Sequence, residues 1–143
     1  VTTTNFISGT LDYFPTLLDA LGLVMPDNRP IDGVSLLPML EEKETSRKQP
    51  LPFMHKGKAA WIQGDLKYVS KGGEIVEVYN LRTDRFEKNN VIAKYVEKVQ
   101  EMNQHIMDWN LSCKKSHSGA DYESVFKPVD KWKGIGTHKN KKG

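Results

Sequence analysis

Few residues of this sequence combine a reactive side chain with the spacing that chemistry would need. Cys113 is the one cysteine among the 143 residues, so the chain can form neither an internal disulfide nor a thiolate metal cluster. We expect it to be a packed thiol near a helix end, or a thiol bonded to a partner segment. We therefore predict no catalytic residue and no metal ligand in this chain.

Three of the four histidines are poor candidates for a site. His105 falls between the apolar positions of a helical pattern, so we expect it at the surface or at the edge of the core. His117 and His138 fall where regular structure is not expected. A zinc site would need more ligands at closer spacing than these residues provide.

One short cationic cluster is a candidate for binding. His55, Lys56 and Lys58 surround Gly57 in a segment that we interpret as a loop between two strands. Cationic and hydrogen-bonding side chains on such a loop suit an anionic ligand. The alternative is a solvated hairpin turn that binds nothing. We predict these three residues as candidates for substrate binding.

Helical signals dominate the first 50 residues. Residues 12–22 are predicted as a helix that Asp12 caps and Gly22 ends. A loop of turn-forming residues follows, then a short helical stretch over residues 34–40. Residues 41–49 are wholly polar and are predicted as an exposed connection. The apolar residues of the first helix recur at helical spacing: Leu11, Phe14, Leu17, Leu18 and Leu21.

The period of the pattern changes to two after Pro52, which indicates strands. In the third predicted strand, Leu66, Tyr68 and Ser70 should face one side of the sheet. Glycine-containing pairs between the strands indicate tight turns. The predicted strands cover residues 53–55, 59–63, 66–70 and 75–81, with turns at 64–65 and 72–73.

The clearest periodic segment is residues 90–111, whose apolar positions mostly advance by three or four. Such a helix is marginal alone in water, so its apolar stripe must cover the sheet. We place Trp61 and Trp109 in that sheet–helix core. The predicted fold is α+β: a small antiparallel sheet of three or four strands packs against one long C-terminal helix, preceded by a short helical segment.

The net charge of +3 comes from the end of the chain. Residues 127–143 contain six lysines and one acidic residue, so the first 126 residues carry a net charge of −2. Because the tail has few aromatic residues and no arginine, we expect a solvated tail without nucleic-acid binding, although Trp132 could dock on another surface. The sequence contains no run of about 18 apolar residues, so we predict no membrane span. The chain begins with Val1, and we expect a processed or partial product.

Three stretches, in order, carry a family resemblance. Residues 11–22 read LDYFPTLLDALG, and residues 31–40 read IDGVSLLPML. Residues 64–69 read GDLKYV and are followed by VYNLRTD at residues 78–84. Together they resemble the sulfatase family, the formylglycine-dependent enzymes of the alkaline-phosphatase-like superfamily, and they resemble its C-terminal subdomain.

The resemblance implies chemistry that this chain does not carry. In that family a Cys or Ser within a Cys/Ser-x-Pro-x-Arg motif becomes formylglycine, and a divalent cation, usually calcium, polarises the sulfate. The chain lacks the motif, because Cys113 is followed by Lys114-Lys115-Ser116. We therefore expect the chain alone to be inactive. Formylglycine and calcium are implied for the parent enzyme, together with a missing N-terminal sulfatase domain as the partner.

The same resemblance implies a division of the chain and a setting for it. Residues 1–50 would be the helical end of the catalytic-domain portion with its connection, residues 51–112 the C-terminal subdomain, and residues 113–143 an irregular basic tail. The parent would be periplasmic or secreted and would act on a sulfated small molecule or polysaccharide. Two alternatives stay open: the C-terminal part of another hydrolase of the superfamily, such as a phosphodiesterase, and a stand-alone binding module.

Overall fold

Four antiparallel strands and one long helix form the larger part of the fold. A computed structural model describes residues 4–25 and 29–122 of the chain. The strands pair in chain order, each with the next. This arrangement confirms the predicted α+β fold. The strands are β1 (Leu51–His55), β2 (Lys58–Gln63), β3 (Leu66–Lys71) and β4 (Glu74–Asn80), and the helices are α1 (Tyr13–Ala20), α2 (Leu37–Leu40) and α3 (Val96–His117).

The sheet follows the alternation that the sequence predicts. In β3, Leu66, Tyr68 and Ser70 are buried, and the residues between them are half-buried. Trp61 pairs with Tyr68 across the β2–β3 ladder, so both side chains lie on the same face. Gly64 has a φ of +56°, which the tight turn between β2 and β3 requires and glycine adopts without strain.

One face of this sheet packs against α3. Tyr68 and Val78 from the sheet meet Met102 and Ile106 from the helix, and all four are buried. Trp61 belongs to the same core, and Trp109 packs against it while half-buried. This contact confirms the predicted sheet–helix layer. Burying four or five large side chains contributes roughly 1.5–3 kcal/mol each, which is the main stabilisation of the fold.

The long helix begins and ends later than the sequence predicts. It was expected from Asn90 but begins at Val96. The Asn90 side chain explains the delay, because its oxygen accepts a hydrogen bond from the Val78 N–H and so holds the chain along β4. The helix then continues past residue 111 and ends at His117, and Gly119, with a φ of +96°, follows the C-cap residue Ser118. Lysines in its last turn favour this extension through the helix dipole.

The segment before the sheet has no apolar core of its own. Within the described part of residues 4–50, Asp12 is the one buried residue. The helix predicted over residues 12–22 is shorter, since α1 spans Tyr13–Ala20 after a 3₁₀ turn at Thr10–Asp12. The predicted tail beyond residue 122, with Trp132 and His138, lies outside the described residues. No helix in the described ranges is long and apolar enough to cross a bilayer.

Candidate functional site

The predicted cationic cluster lies at one end of the sheet. His55 and Lys58 are the last pair of the β1–β2 ladder and flank the turn Lys56–Gly57. Both turn residues have positive φ, +46° and +76°, which is the conformation of a two-residue hairpin turn. All three predicted side chains are exposed. The structure therefore places them on a hairpin turn, as expected, and brings them together at its tip.

Lys71 joins this cluster and was missed by the sequence reasoning. In the β2–β3 ladder, Lys58 pairs with Lys71, so the two side chains project from adjacent strands on one face. The neighbouring hairpins meet here, because the Gly72 N–H donates to the Gly57 carbonyl at 3.3 Å. Register was the signal that could have identified Lys71, since the turn at residues 64–65 fixes which residues pair. We name His55, Lys56, Lys58 and Lys71 the cationic rim.

Paired like charges give the cationic rim a chemical preference. Directly opposed cations on neighbouring strands repel each other, and a bound anion relieves that repulsion. Glu74 pairs with Lys71 on the other side and offsets part of the positive charge. Exposed lysines on a turn form weak, salt-sensitive contacts with anionic groups.

A buried ion pair connects the first 50 residues. The Arg47 Nη1 donates to both Asp12 carboxylate oxygens at 2.8 Å, and the side chains are 3% and 0% exposed. The N–H groups of Gly9 and Val34 also donate to Asp12, at 2.8 and 2.9 Å. Burial alone would raise the pKa of Asp12, but the hydrogen bonds from Val34, Arg47 and Gly9 outweigh it and hold the pKa below its usual value.

This arrangement corrects two expectations. The Asp12 side chain does not cap α1, because it is used by Arg47, Gly9 and Val34 instead. The connection over residues 41–49 is not exposed throughout, because Arg47 is drawn inward. Close packing also explains Gly33: a Cβ there would lie 2.1 Å from the Leu11 carbonyl oxygen. Asp12, Arg47 and Gly33 therefore fix the two helical segments against each other.

A cleft marks the junction between this segment and the sheet–helix unit. The Trp109 Nε1 donates to the Asp32 carboxylate at 3.0 Å, and Trp61 lies edge-on to Trp109 with ring centroids 6.3 Å apart. His105 is exposed and contacts the Trp61 ring, in agreement with its expected place at the core edge. The cleft has a volume of about 180 Å³, and it is lined by Ile31, Asp32, Gly33, Gln49, Pro50, Pro52, Trp61 and Trp109.

Cys113 is a partly packed thiol. It lies inside α3 and is half-buried, next to a second cleft that also borders Asp32 and His117. Burial raises the pKa of Cys113, and the negative charge of Asp32 raises it further. A thiol that stays protonated at neutral pH is a poor nucleophile and a poor metal ligand. Among the described residues, no group of three or more His, Cys, Asp or Glu side chains is placed to hold a metal ion.

Comparison with known proteins identifies the relatives of this chain. No family model matches it. It is similar to arylsulfatase K of Xenopus laevis, with 28% identity over 139 residues that cover 83% of this chain and 23% of that protein. A solved structure in complex with its substrate, D-glucosamine-2-N,6-O-disulfate, has 25% identity and a TM-score of 0.51, and the match covers 79% of this chain and 25% of that one.

Two further solved structures share the fold at lower identity. One, in complex with k-i-k-neocarrahexaose, has 19% identity and a TM-score of 0.58 over 71% of this chain and 24% of that one. The other is a sulfatase of glycosaminoglycan metabolism in Bacteroides thetaiotaomicron, with 24% identity and a TM-score of 0.55 over 68% of this chain and 24% of that one. The chain thus spans about a quarter of the length of the proteins it matches. The chain is thus similar to sulfatases, and the match falls in the C-terminal part of those proteins.

Proposed function

We propose that this chain is the C-terminal part of a sulfate-ester hydrolase whose reacting groups lie on the preceding polypeptide. The observation that carries the proposal is the match to an arylsulfatase over 83% of this chain but only 23% of that protein. The three motifs of the sequence lie within a fold that solved sulfatases share. Residues 4–50 would then be the end of the catalytic portion, and the sheet with α3 would be the C-terminal subdomain.

The residues present here do not fit the cofactors that the family implies. Formylglycine would supply an aldehyde hydrate as nucleophile, and calcium would polarise the sulfate. Cys113 has neither the flanking Pro nor the Arg of the modification motif, and its raised pKa disfavours the thiolate. We therefore derive no catalytic step from this chain. Its own contribution would be to complete the fold and the rim of the substrate cleft.

The choice between a sulfatase and another hydrolase of the superfamily rests on the parent protein. The full-length product of the gene should hydrolyse a chromogenic aryl sulfate, and its sequence should contain Cys/Ser-x-Pro-x-Arg upstream of Val1. An aryl phosphodiester and an aryl phosphate serve as the comparison substrates. Turnover of the phosphodiester without turnover of the sulfate would assign the parent to the alternative class. A folded parent that binds sulfated ligands and turns over none of the three would favour a binding module.

The cationic rim would contact the anionic part of the substrate outside the reaction centre. One solved relative binds a disulfated glucosamine as its substrate, and a sulfated carbohydrate is the ligand class that the rim suits. An aryl sulfate is the smaller alternative substrate, and it carries no second anionic group for the rim to bind. Charge and register support this role, because Lys58 lies opposite Lys71 at a hairpin tip that also carries His55 and Lys56.

Replacement of a rim lysine tests this role. In the parent enzyme, Lys58→Gln should raise KM for a sulfated oligosaccharide about two- to fivefold, because exposed ion pairs contribute roughly 0.2–1 kcal/mol. It should leave the turnover of a small aryl sulfate unchanged. The matched control is Lys43→Gln, since Lys43 is also exposed but pairs with Glu41 away from the rim. Equal KM values for the two variants would show that the cationic rim does not bind the substrate.

The localisation of the parent is proposed from the family resemblance alone. The parent would be exported to the periplasm or secreted, as such enzymes usually are. A cleavable leader in the full-length gene product, and its recovery outside the cytoplasm, would support this proposal. Recovery of the mature parent from the cytoplasm alone would refute it.

A further inference from the structure

The first helix exposes an apolar face. Tyr13, Phe14, Leu17 and Leu21 are 62%, 51%, 61% and 69% exposed. Their spacing of one, four and eight residues from Tyr13 places all four side chains on the same side of the helix. We name these four residues the α1 apolar face. No residue of α1 is buried, although five of its eight residues are apolar.

The opposite side of the same helix is held by polar contacts. The Thr16 hydroxyl donates to the Asp12 carbonyl at 2.6 Å and accepts from the Leu36 N–H at 2.9 Å. Ser35 donates to the Asp19 carboxylate. These contacts attach α1 to the segment around α2 and fix its rotation. The α1 apolar face is therefore directed away from the rest of the described chain.

A short helix with an exposed apolar face needs a surface to pack against. An isolated helix of eight residues is not stable in water, and its stability has to come from packing of its apolar side. The sheet–helix unit has already completed its own core, with Val78 and Ile106 fully buried. Soluble monomers rarely leave contiguous apolar patches of several side chains uncovered. Leu23 and Val24, which follow the helix end in the chain, are exposed as well.

We propose that the α1 apolar face is the surface on which the preceding catalytic portion of the parent sulfatase docks. This inference rests on the proposed function. The occupant is the roughly three quarters of the parent that this chain does not contain, since the relatives are matched over only 23–25% of their length. The apolar face lies in the part of the chain that carries the sulfatase-like motif at residues 11–22. The part that lacks a core is thus the part expected to belong to the catalytic domain.

Thiol labelling measures whether the face is covered. In a Cys113→Ser background, Leu17→Cys is reacted with a maleimide in two proteins, the 143-residue chain and the full-length parent. Met107→Cys is the matched control, because Met107 is an exposed apolar residue of α3, at 54%. Circular dichroism of each variant establishes that it is folded, and Leu21→Cys replaces Leu17→Cys if the latter does not fold.

In the 143-residue chain both positions should react at similar rates. In the parent, Leu17→Cys should react slower by roughly tenfold or more, because a covered side chain reacts only when the interface opens. The control should react equally in both proteins. Fast labelling of Leu17→Cys in the parent overturns the proposal. Protection in the isolated chain, together with a dimer by analytical ultracentrifugation, also overturns it and assigns the face to a second copy.

The same samples separate this inference from the proposed function. The parent is assayed with a chromogenic aryl sulfate in parallel with the labelling. Protection of Leu17→Cys without sulfate hydrolysis would support the docking surface and refute the sulfatase activity. Hydrolysis of the aryl sulfate with unprotected Leu17→Cys would support the sulfatase activity and refute the docking surface.

Discussion

At the scale of single residues, Asp12 organises the first part of the chain. Its carboxylate is fully buried and accepts hydrogen bonds from Arg47 and from two backbone N–H groups. The sequence favoured a simpler role as a helix cap, because Asp before an apolar helix is the usual cap. Its partner is 35 residues away, and no local pattern indicates that contact. Burial of an ion pair is costly, so the pair defines the local arrangement more than it adds to net stability.

Removal of the Asp12 carboxylate should open the first segment without unfolding the sheet. Asp12→Ala leaves the Arg47 guanidinium buried without its partner, which costs roughly 3–5 kcal/mol in comparable sites. We expect rapid proteolysis within residues 4–50 and loss of hydrogen-exchange protection at the Val34 amide. Glu44→Ala is the control, because Glu44 and Lys48 form an exposed pair. Unchanged protection of Val34 in Asp12→Ala would contradict the account.

The same carboxylate should make the first segment sensitive to acid. The pKa of Asp12 is lower in the folded chain than the ordinary value of 3.8 for an aspartate. Its stabilising contribution is therefore complete above that value and is lost as the pH falls through the lower, folded pKa. The opening free energy of the Val34 amide, from hydrogen exchange corrected for intrinsic rates, should fall below about pH 4. Asp12→Asn should remove this pH dependence. An identical pH dependence in that variant would contradict the prediction.

At the scale of elements, the sheet was predictable and the ends of the long helix were not. Period-two alternation identifies the strands, because each strand has one buried face. Glycine-containing pairs mark the tight turns between them, because such turns need positive φ. The start of α3 depends on Asn90, whose side chain bonds to the neighbouring strand β4. That contact is tertiary, so the local pattern at residues 90–111 could not show that the helix begins after Asn90. The cationic rim was partly predictable, since Lys71 required the strand register.

The contact between α3 and the sheet should dominate the stability of residues 51–117. Ile106→Ala removes a side chain that is 1% exposed and should lower the free energy of unfolding by about 2–5 kcal/mol. Its neighbour Met107 is exposed, so Met107→Ala should change that free energy by no more than about 0.5 kcal/mol. Urea denaturation followed by circular dichroism measures both variants. Similar losses in the two would show that α3 does not pack as described.

At the scale of the whole molecule, two parts of the chain differ in how far their apolar side chains are buried. The sheet and α3 bury their apolar residues against each other, whereas residues 4–50 bury a polar group and expose leucines. Composition could not reveal this difference, because the hydrophobic share of 38% is ordinary. Motif order indicated a resemblance to sulfatases, and the chain matches 23% of the length of one arylsulfatase. The isolated chain should therefore leave those apolar residues exposed to solvent.

We propose that this chain lacks the groups that break a sulfate ester bond and that the preceding polypeptide of the parent supplies them. The most direct measurement compares hydrolysis of a chromogenic aryl sulfate by the purified 143-residue chain and by the full-length parent, each with calcium present. We predict turnover by the parent and none above background by the chain. Sulfate release by the purified chain alone would contradict the account.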